Sequence, residues 1–232
     1  MTAIPRDFDA VFAKYGGDDL PVSFLRSLSW NESKMTPRAK ASGSSARGLF
    51  MVSLPVLKDF NAERGTNVTA EALLDPNANT RVATWQLRRI IKTYEQTNPF
   101  LRPDWRSPAW VALLTLGWTA GWSTKQGVAG LVGRMLGAGI PPEKISLDTV
   151  IQAAGRLYPK SKIYAVPSPG PYMSDPKLKH WVLLVLRDYF DQLQGGESPL
   201  PQKPPEDHGV GVPLVAFALI GLGVGVFAYK NA

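Results

Sequence analysis

The chain has no cysteine, which excludes a disulfide framework, a thiol nucleophile and a thiolate metal site. Histidine is almost absent: only His180 and His208 occur, far apart and with no metal-ligand spacing. Neither a zinc site nor a Ser-His-Asp triad is expected from such a pair, and no cofactor is expected. His180 falls in a strongly helical stretch and His208 in a Pro-rich one. Compact Lys/Arg clusters are scarce although the formal charge is +7. The charge is spread as on a solvated basic surface. No helix concentrates Lys and Arg with base-reading side chains, so nucleic acid is not an expected partner. Sustained strand alternation is missing throughout. The opening MTAIPRDFDAVFAKYGG lacks the apolar core of a secretory signal.

What is present fits one medium domain with an appendage: 232 residues, 44% of them apolar. From Gly209 to Tyr229 the chain reads GVGVPLVAFALIGLGVGVFAY without a charge, about the length that crosses a hydrocarbon core. The expected organisation is a domain over 1–194, a Pro/Gly-rich linker over 195–209, a transmembrane helix over 210–229 and a tail over 230–232. From Gly195 onward two lysines face three acids, a net of −1, so the first 194 residues carry +8. Lys230 after the span and Glu206 and Asp207 before it favour a cytoplasmic C-terminus by the positive-inside tendency. Gly221 and Gly225 form a GxxxG pair, which is either a packing face for another helix or the ordinary small-residue content of a membrane span. A lipid membrane is thus an expected partner.

The first 194 residues read as almost all helix. Asp19-Leu20-Pro21 precedes Val22, Leu25 and Leu28 at helical spacing. Pro55 opens a short helix after Ser53. Ala83, Leu87, Ile90, Ile91 and Tyr94 line one face of a longer helix beginning near Asn79. Ser107 and Pro108 are a cap and a first-turn proline, followed by Trp110, Leu113, Leu114 and Trp118. Further apolar stripes are Val128, Leu131, Val132, Met135 and Leu136, then Val150, Ile151, Ala154 and Leu157. A last helix starts at Ser174-Asp175-Pro176 and is expected to bury Leu178, Trp181, Val182, Val185, Tyr189 and Leu193.

The chemically informative stretch is Trp30 to Pro55, WNESKMTPRAKASGSSARGLFMVSLP. A helix ends at a Glu, a loop of small residues follows, and Gly48-Leu49 leads into an apolar turn. A carboxyl group near the negative end of a helix is poorly served by its dipole. With Trp30, Met35, Phe50 and Met51 excluding water, the expected effect is a raised pKa and a protonated acid near neutrality. A departing sugar oxygen must receive a proton from such a group.

At these residues the sequence resembles the lytic transglycosylases of the soluble SLT type, in the lysozyme-like superfamily. Glu32-Ser33 matches the opening of the family's first motif, Pro37 and Ala39 its middle, and Ala46-Arg47-Gly48-Leu49 its close. One extra residue lies between Ala39 and Ser45. Ser42 then takes the family serine, Ser45 replaces a glycine, Phe50 takes a methionine position and Met51 replaces a glutamine. Asp75-Pro76-Asn77-Ala78-Asn79 resembles the DPxxN block. Gly117-Trp118-Thr119-Ala120-Gly121 resembles the YNAG block, with Trp118 for tyrosine and Thr119 for asparagine. Lys179-His180-Trp181-Val182 resembles the final helix, with Trp181 for tyrosine. The resemblance runs over about residues 20 to 194.

The resemblance implies an all-α lysozyme-like domain acting on peptidoglycan glycan strands, with Glu32 as the sole catalytic acid/base. Ser42, Ser45, Met51, Trp118, Thr119 and Trp181 are its implied substrate-binding positions, and Tyr172 in SPGPYMS is a candidate for the cleft rim. Ser42 is equally readable as a turn residue, and Trp118 and Trp181 as core. A hydrolytic muramidase and an inactive membrane-anchored scaffold of the same fold remain open as alternatives. Without an export signal, a phage particle that opens the wall locally during genome entry suits the chain better than an ordinary periplasmic enzyme. Location in an internal virion membrane or the host envelope follows from that expectation.

Overall fold

The computed structural model describes residues 4–120, 128–150 and 181–193. The described chain is helical, with strand character confined to the isolated antiparallel bridges Lys40↔Arg47 and Arg47↔Val52. The helices are α1 (Asp9–Gly16), α2 (Val22–Ser33), α3 (Leu54–Arg64), α4 (Pro76–Thr97), α5 (Pro108–Ala120), α6 (Val128–Gly137) and α7 (Trp181–Leu193). Short 3-10 turns occupy Glu71–Leu74 and Pro142–Lys144. Two compact units divide the chain, the boundary falling between Arg89 and Ile90.

In the first unit α1 packs on α2. Phe12, Leu20, Phe24, Leu25, Leu28, Phe50 and Leu87 are fully buried there. Phe12 meets Phe50 edge to face with centroids 5.5 Å apart, a contact worth about 0.5–1.5 kcal/mol beyond area burial. Arg26 lies buried in the middle of α2, and its Nε donates to Asp9 Oδ1 at 2.8 Å. That pairing explains how a helix buried on nearly all sides carries a guanidinium. Arg88 closes the end of α1: its Nη2 donates to the carbonyls of Tyr15 and Gly16 at 3.0 and 2.7 Å and to Asp19 Oδ1 at 2.7 Å. The guanidinium's hydrogen bond holds the Asp19 carboxyl below its usual pKa.

Helix starts follow their caps. Asp75 Oδ1 accepts the Ala78 N–H at 2.9 Å with Pro76 at the first helical position, so α4 begins three residues before Asn79. Ser53 is extended ahead of α3, with Pro55 in the first turn and left-handed Gly65 closing it. Ser107 Oγ accepts from Trp110 N–H at 3.4 Å and opens α5 as the Ser-Pro pair predicts.

In the second unit α5 packs on α6 and α7. Val182, Val185, Leu186, Tyr189 and Phe190 are buried, as are Val132, Met135 and Val150. Leu193 departs from expectation: as the last residue of α7 it is 49% exposed, beyond the buried stripe. Tyr189 donates its hydroxyl to the Trp105 carbonyl at 2.9 Å, and burial pushes its pKa up to about 12, with Asp104 adding to the shift. Gly117 lets α5 close on α4, since a Cβ there would stand 2.7 Å from Ile90 Cγ2. Among the described residues no helix is long and apolar enough to cross a membrane; residues 210–229, with Gly221 and Gly225, lie outside them.

Candidate active site

Glu32 sits half-buried in the last turn of α2, where the helical spacing places it. The helix stops because Lys34 turns left-handed (φ 54°, ψ 40°) while its N–H still reaches the Trp30 carbonyl. Met35 follows with φ 59°. Two consecutive non-glycine residues in this region are uncommon and cost about 1–2 kcal/mol each. The Lys34 ammonium lies 4.8 Å from the Trp30 ring centroid, a cation–π contact at the same helix end. Met35 is buried.

The loop that follows is built to return to this helix. Gly48 N–H donates to the Ala39 carbonyl at 2.8 Å, and Arg47 and Val52 exchange backbone hydrogen bonds at 3.1 and 3.0 Å. A tight turn runs from Gly48 to Met51, closed by Met51 N–H on the Gly48 carbonyl at 3.1 Å. Met51 itself has φ 47°. Gly48 has φ 79°, and a Cβ there would lie 2.1 Å from both the Leu73 carbonyl oxygen and Asn79 Nδ2. No side chain fits that space, so only glycine allows the backbone to approach this closely.

One peptide group carries the connection. The Leu49 carbonyl accepts from Ser33 Oγ at 2.8 Å and Ser29 Oγ at 3.2 Å, both on α2. The Phe50 N–H at the other end of that peptide donates to Asn79 Oδ1 at 2.8 Å, on α4. Asn79 Nδ2 donates to the carbonyls of Arg47 and Leu73, each at 2.9 Å. Both lone pairs of the carbonyl and the single N–H proton are therefore used, and Asn79 is fully buried. In a dry site such a set holds its geometry tightly, because each broken bond would leave a buried polar group unpaired.

The other implied positions divide. Ser42 is exposed in a turn beside left-handed Gly43. Ser45 Oγ accepts the Leu54 N–H at 3.2 Å, which supports the start of α3 and leaves its proton available. Met51 is half-buried. These three share the first unit with Glu32. Trp118 and Thr119 belong to α5 in the second unit and are 8% and 5% exposed. The Thr119 hydroxyl bonds back to the carbonyls of Thr115 and Leu116 at 3.0 and 3.2 Å, as a helical threonine commonly does. Trp181 is the first residue of α7. Tyr172 lies outside the described residues. No cluster of three or more His, Asp or Glu suited to a metal occurs among the described residues.

Sequence reasoning passed over Ser29 and saw Asn79 only as part of a helix opening. The signal for Ser29 was its spacing: Ser29 and Ser33 stand one turn apart and flank the acid.

No curated protein and no solved structure matches the chain significantly. A family model described as Transglycosylase SLT domain matches residues 10–112. The match spans α1 to the start of α5 and contains Glu32, the Gly48 turn and Asn79. The blocks at 117–121 and 179–182 lie beyond it. Residues 10–112 thus resemble a transglycosylase SLT domain, which supports the likeness to the lytic transglycosylases of the lysozyme-like group.

Proposed function

We propose that the chain is a lytic transglycosylase that cleaves the β-1,4 bond between N-acetylmuramic acid and N-acetylglucosamine in peptidoglycan. The carrying observation is a half-buried glutamate in the last turn of a helix whose end is fastened to the Gly48 turn, inside the segment that matches the family. Glu32 delivers its proton to the bridging oxygen as the glycosidic bond breaks. The substrate's own acetamido group stabilises the oxocarbenium-like carbon. The Glu32 carboxylate then takes the proton of the muramic 6-hydroxyl, and that oxygen bonds to the anomeric carbon to close a 1,6-anhydro ring. The enzyme ends with its proton restored and no water is consumed. Attack within one bound sugar replaces a second catalytic carboxylate by proximity.

Position in the helix supports the protonated state this chemistry needs. The C-terminal end of α2 carries partial negative charge, and a neighbouring negative dipole favours the neutral acid. Substrate contacts from Ser42, Ser45, Met51, Trp118, Thr119, Trp181 and Tyr172 belong to the same proposal. So do an anchor over 210–229 and carriage in a phage particle that opens the wall during genome entry. The anchor rests on the uncharged run from Gly209 to Tyr229.

Replacing Glu32 by Gln in the full chain tests the reading. Wall clearing falls about 10²-fold or more, the worth of a general acid. Undiminished clearing with a folded E32Q chain refutes it. The substitution of Met51 for the family glutamine supports a second reading, in which the fold serves as a membrane-anchored scaffold without turnover; a wild-type chain that binds sacculi and releases no fragments establishes it. For carriage, mass spectrometry of purified particles is decisive, and absence of the chain refutes that part.

A further inference from the structure

We propose that Ser33 is a positioning residue for Glu32, acting through the Leu49–Phe50 peptide that Asn79 holds from α4. The inference rests on the reading of Glu32 as the reacting acid and adds what sets its place. Glu32 has Ser33 as its immediate neighbour in the final turn of α2. Beyond Ser33 the chain enters the left-handed pair Lys34 and Met35, a conformation that needs outside support to persist. Ser33 supplies it on both sides. Its hydroxyl donates 2.8 Å to the Leu49 carbonyl and accepts the Thr36 N–H at 3.2 Å, so one oxygen ties the helix end, the strained pair and the Gly48 turn together.

The rigidity comes from the far side of the peptide. Phe50 N–H is fixed by Asn79 Oδ1, and Asn79 cannot swing away because its Nδ2 is held by two backbone carbonyls. Gly48 admits Asn79 only because it lacks a Cβ. The chain of contacts from α4 to the helix end has no freely rotating link except the Ser33 side chain itself. Ser29 duplicates the contact at the longer distance of 3.2 Å, one turn earlier. A carboxyl that must meet a sugar oxygen within hydrogen-bond reach loses rate steeply when its backbone drifts.

The test compares S33A, S33T and S29A with G65A, all in the full chain. G65A strains the cap of α3, where a Cβ meets no atom within 4 Å, and touches none of these contacts. On a soluble glycan, S33A lowers kcat about tenfold with KM within about twofold, S33T restores most of it, and G65A keeps both. Amide exchange gives the readout independent of turnover: the Lys34 and Phe50 amides exchange about tenfold faster in S33A while α3 amides hold. If S33A does not fold, S29A carries the test, with a smaller kcat loss and faster Lys34 exchange. Wild-type kcat in S33A, or Lys34 and Phe50 amides no faster than those of α3, overturns the proposal. If the wild-type chain cleaves no glycan, the transglycosylase reading falls alone. The exchange comparison then decides the positioning claim, and unchanged exchange refutes it.

Discussion

Replacing Gly48 by Ala separates a left-handed backbone from a filled space. The residue has φ 79°, and the new methyl carbon would lie 2.1 Å from the Leu73 carbonyl and from Asn79 Nδ2. The left-handed conformation alone costs about 1–2 kcal/mol for a residue with a Cβ. Leu73 O is backbone, so the turn itself must shift off both contacts, and Asn79 loses its place against it. Its three hydrogen bonds, to Phe50, Arg47 and Leu73, contribute about 1 kcal/mol each. The expected loss is about 4–5 kcal/mol, a large share of the roughly 5–15 kcal/mol that holds a domain folded. Gly65 is the control: φ is 61° and nothing lies within 4 Å of its Cβ position, so G65A loses only the first contribution, about 1–2 kcal/mol. Urea unfolding followed by far-ultraviolet circular dichroism reads both. At a slope of about 2 kcal/mol per molar, G48A moves the midpoint by about 2 M and G65A by under about 1 M. Equal shifts would show that the space beside Asn79 is not closed and refute the reasoning.

Other perturbations probe the same physics elsewhere. Lys34→Gly removes the penalty of a side chain at φ 54° and loses the Trp30 contact; thermal melting is expected to show a net gain of about 0.5–1 kcal/mol, and a loss above 1 kcal/mol would mean the turn is not strained. Asp19→Asn removes an exposed partner of Arg88 and costs under about 1 kcal/mol at neutral pH. Because the Asp19 pKa is lowered in the fold, the wild type's advantage is full above the ordinary carboxyl value of 3.8 and fades as pH falls through the folded value; an advantage that persists in strong acid contradicts the pairing. Tyr189→Phe leaves the Trp105 carbonyl without its donor and costs about 1–2 kcal/mol. The folded Tyr189 pKa of about 12 lies above the ordinary 10.0, so the gap to Y189F is full below pH 10.0 and closes as pH rises through about 12, which denaturant titrations across that range would show.

Much of the scaffold was legible because caps and prolines act locally. Ser53 with Pro55 and Ser107 with Pro108 announced α3 and α5, and the stripe through Leu87, Ile90 and Tyr94 announced α4. The start of α4 was misread by three residues because the Asp75 cap outweighs the onset of the apolar stripe. The eight-residue α1 was not recognised, since two turns with Val11 and Phe12 adjacent show no repeat. The end of α2 just past the glutamate was readable from the loop of small residues that follows it, whereas the means of holding it was not. Lys34, Met35 and Met51 are not residue types that announce a positive φ, and tertiary contacts impose it. The role of Asn79 depends on a carbonyl and an amide brought from distant segments, which periodicity does not encode.

The most direct measurement is mass spectrometry of the fragments that the full chain releases from purified sacculi, run beside E32Q. Proton transfer through Glu32 without water predicts muropeptides ending in 1,6-anhydro-N-acetylmuramic acid from the wild type and almost none from E32Q. Reducing muramic ends from the wild type, or anhydro ends undiminished in E32Q, would contradict the account.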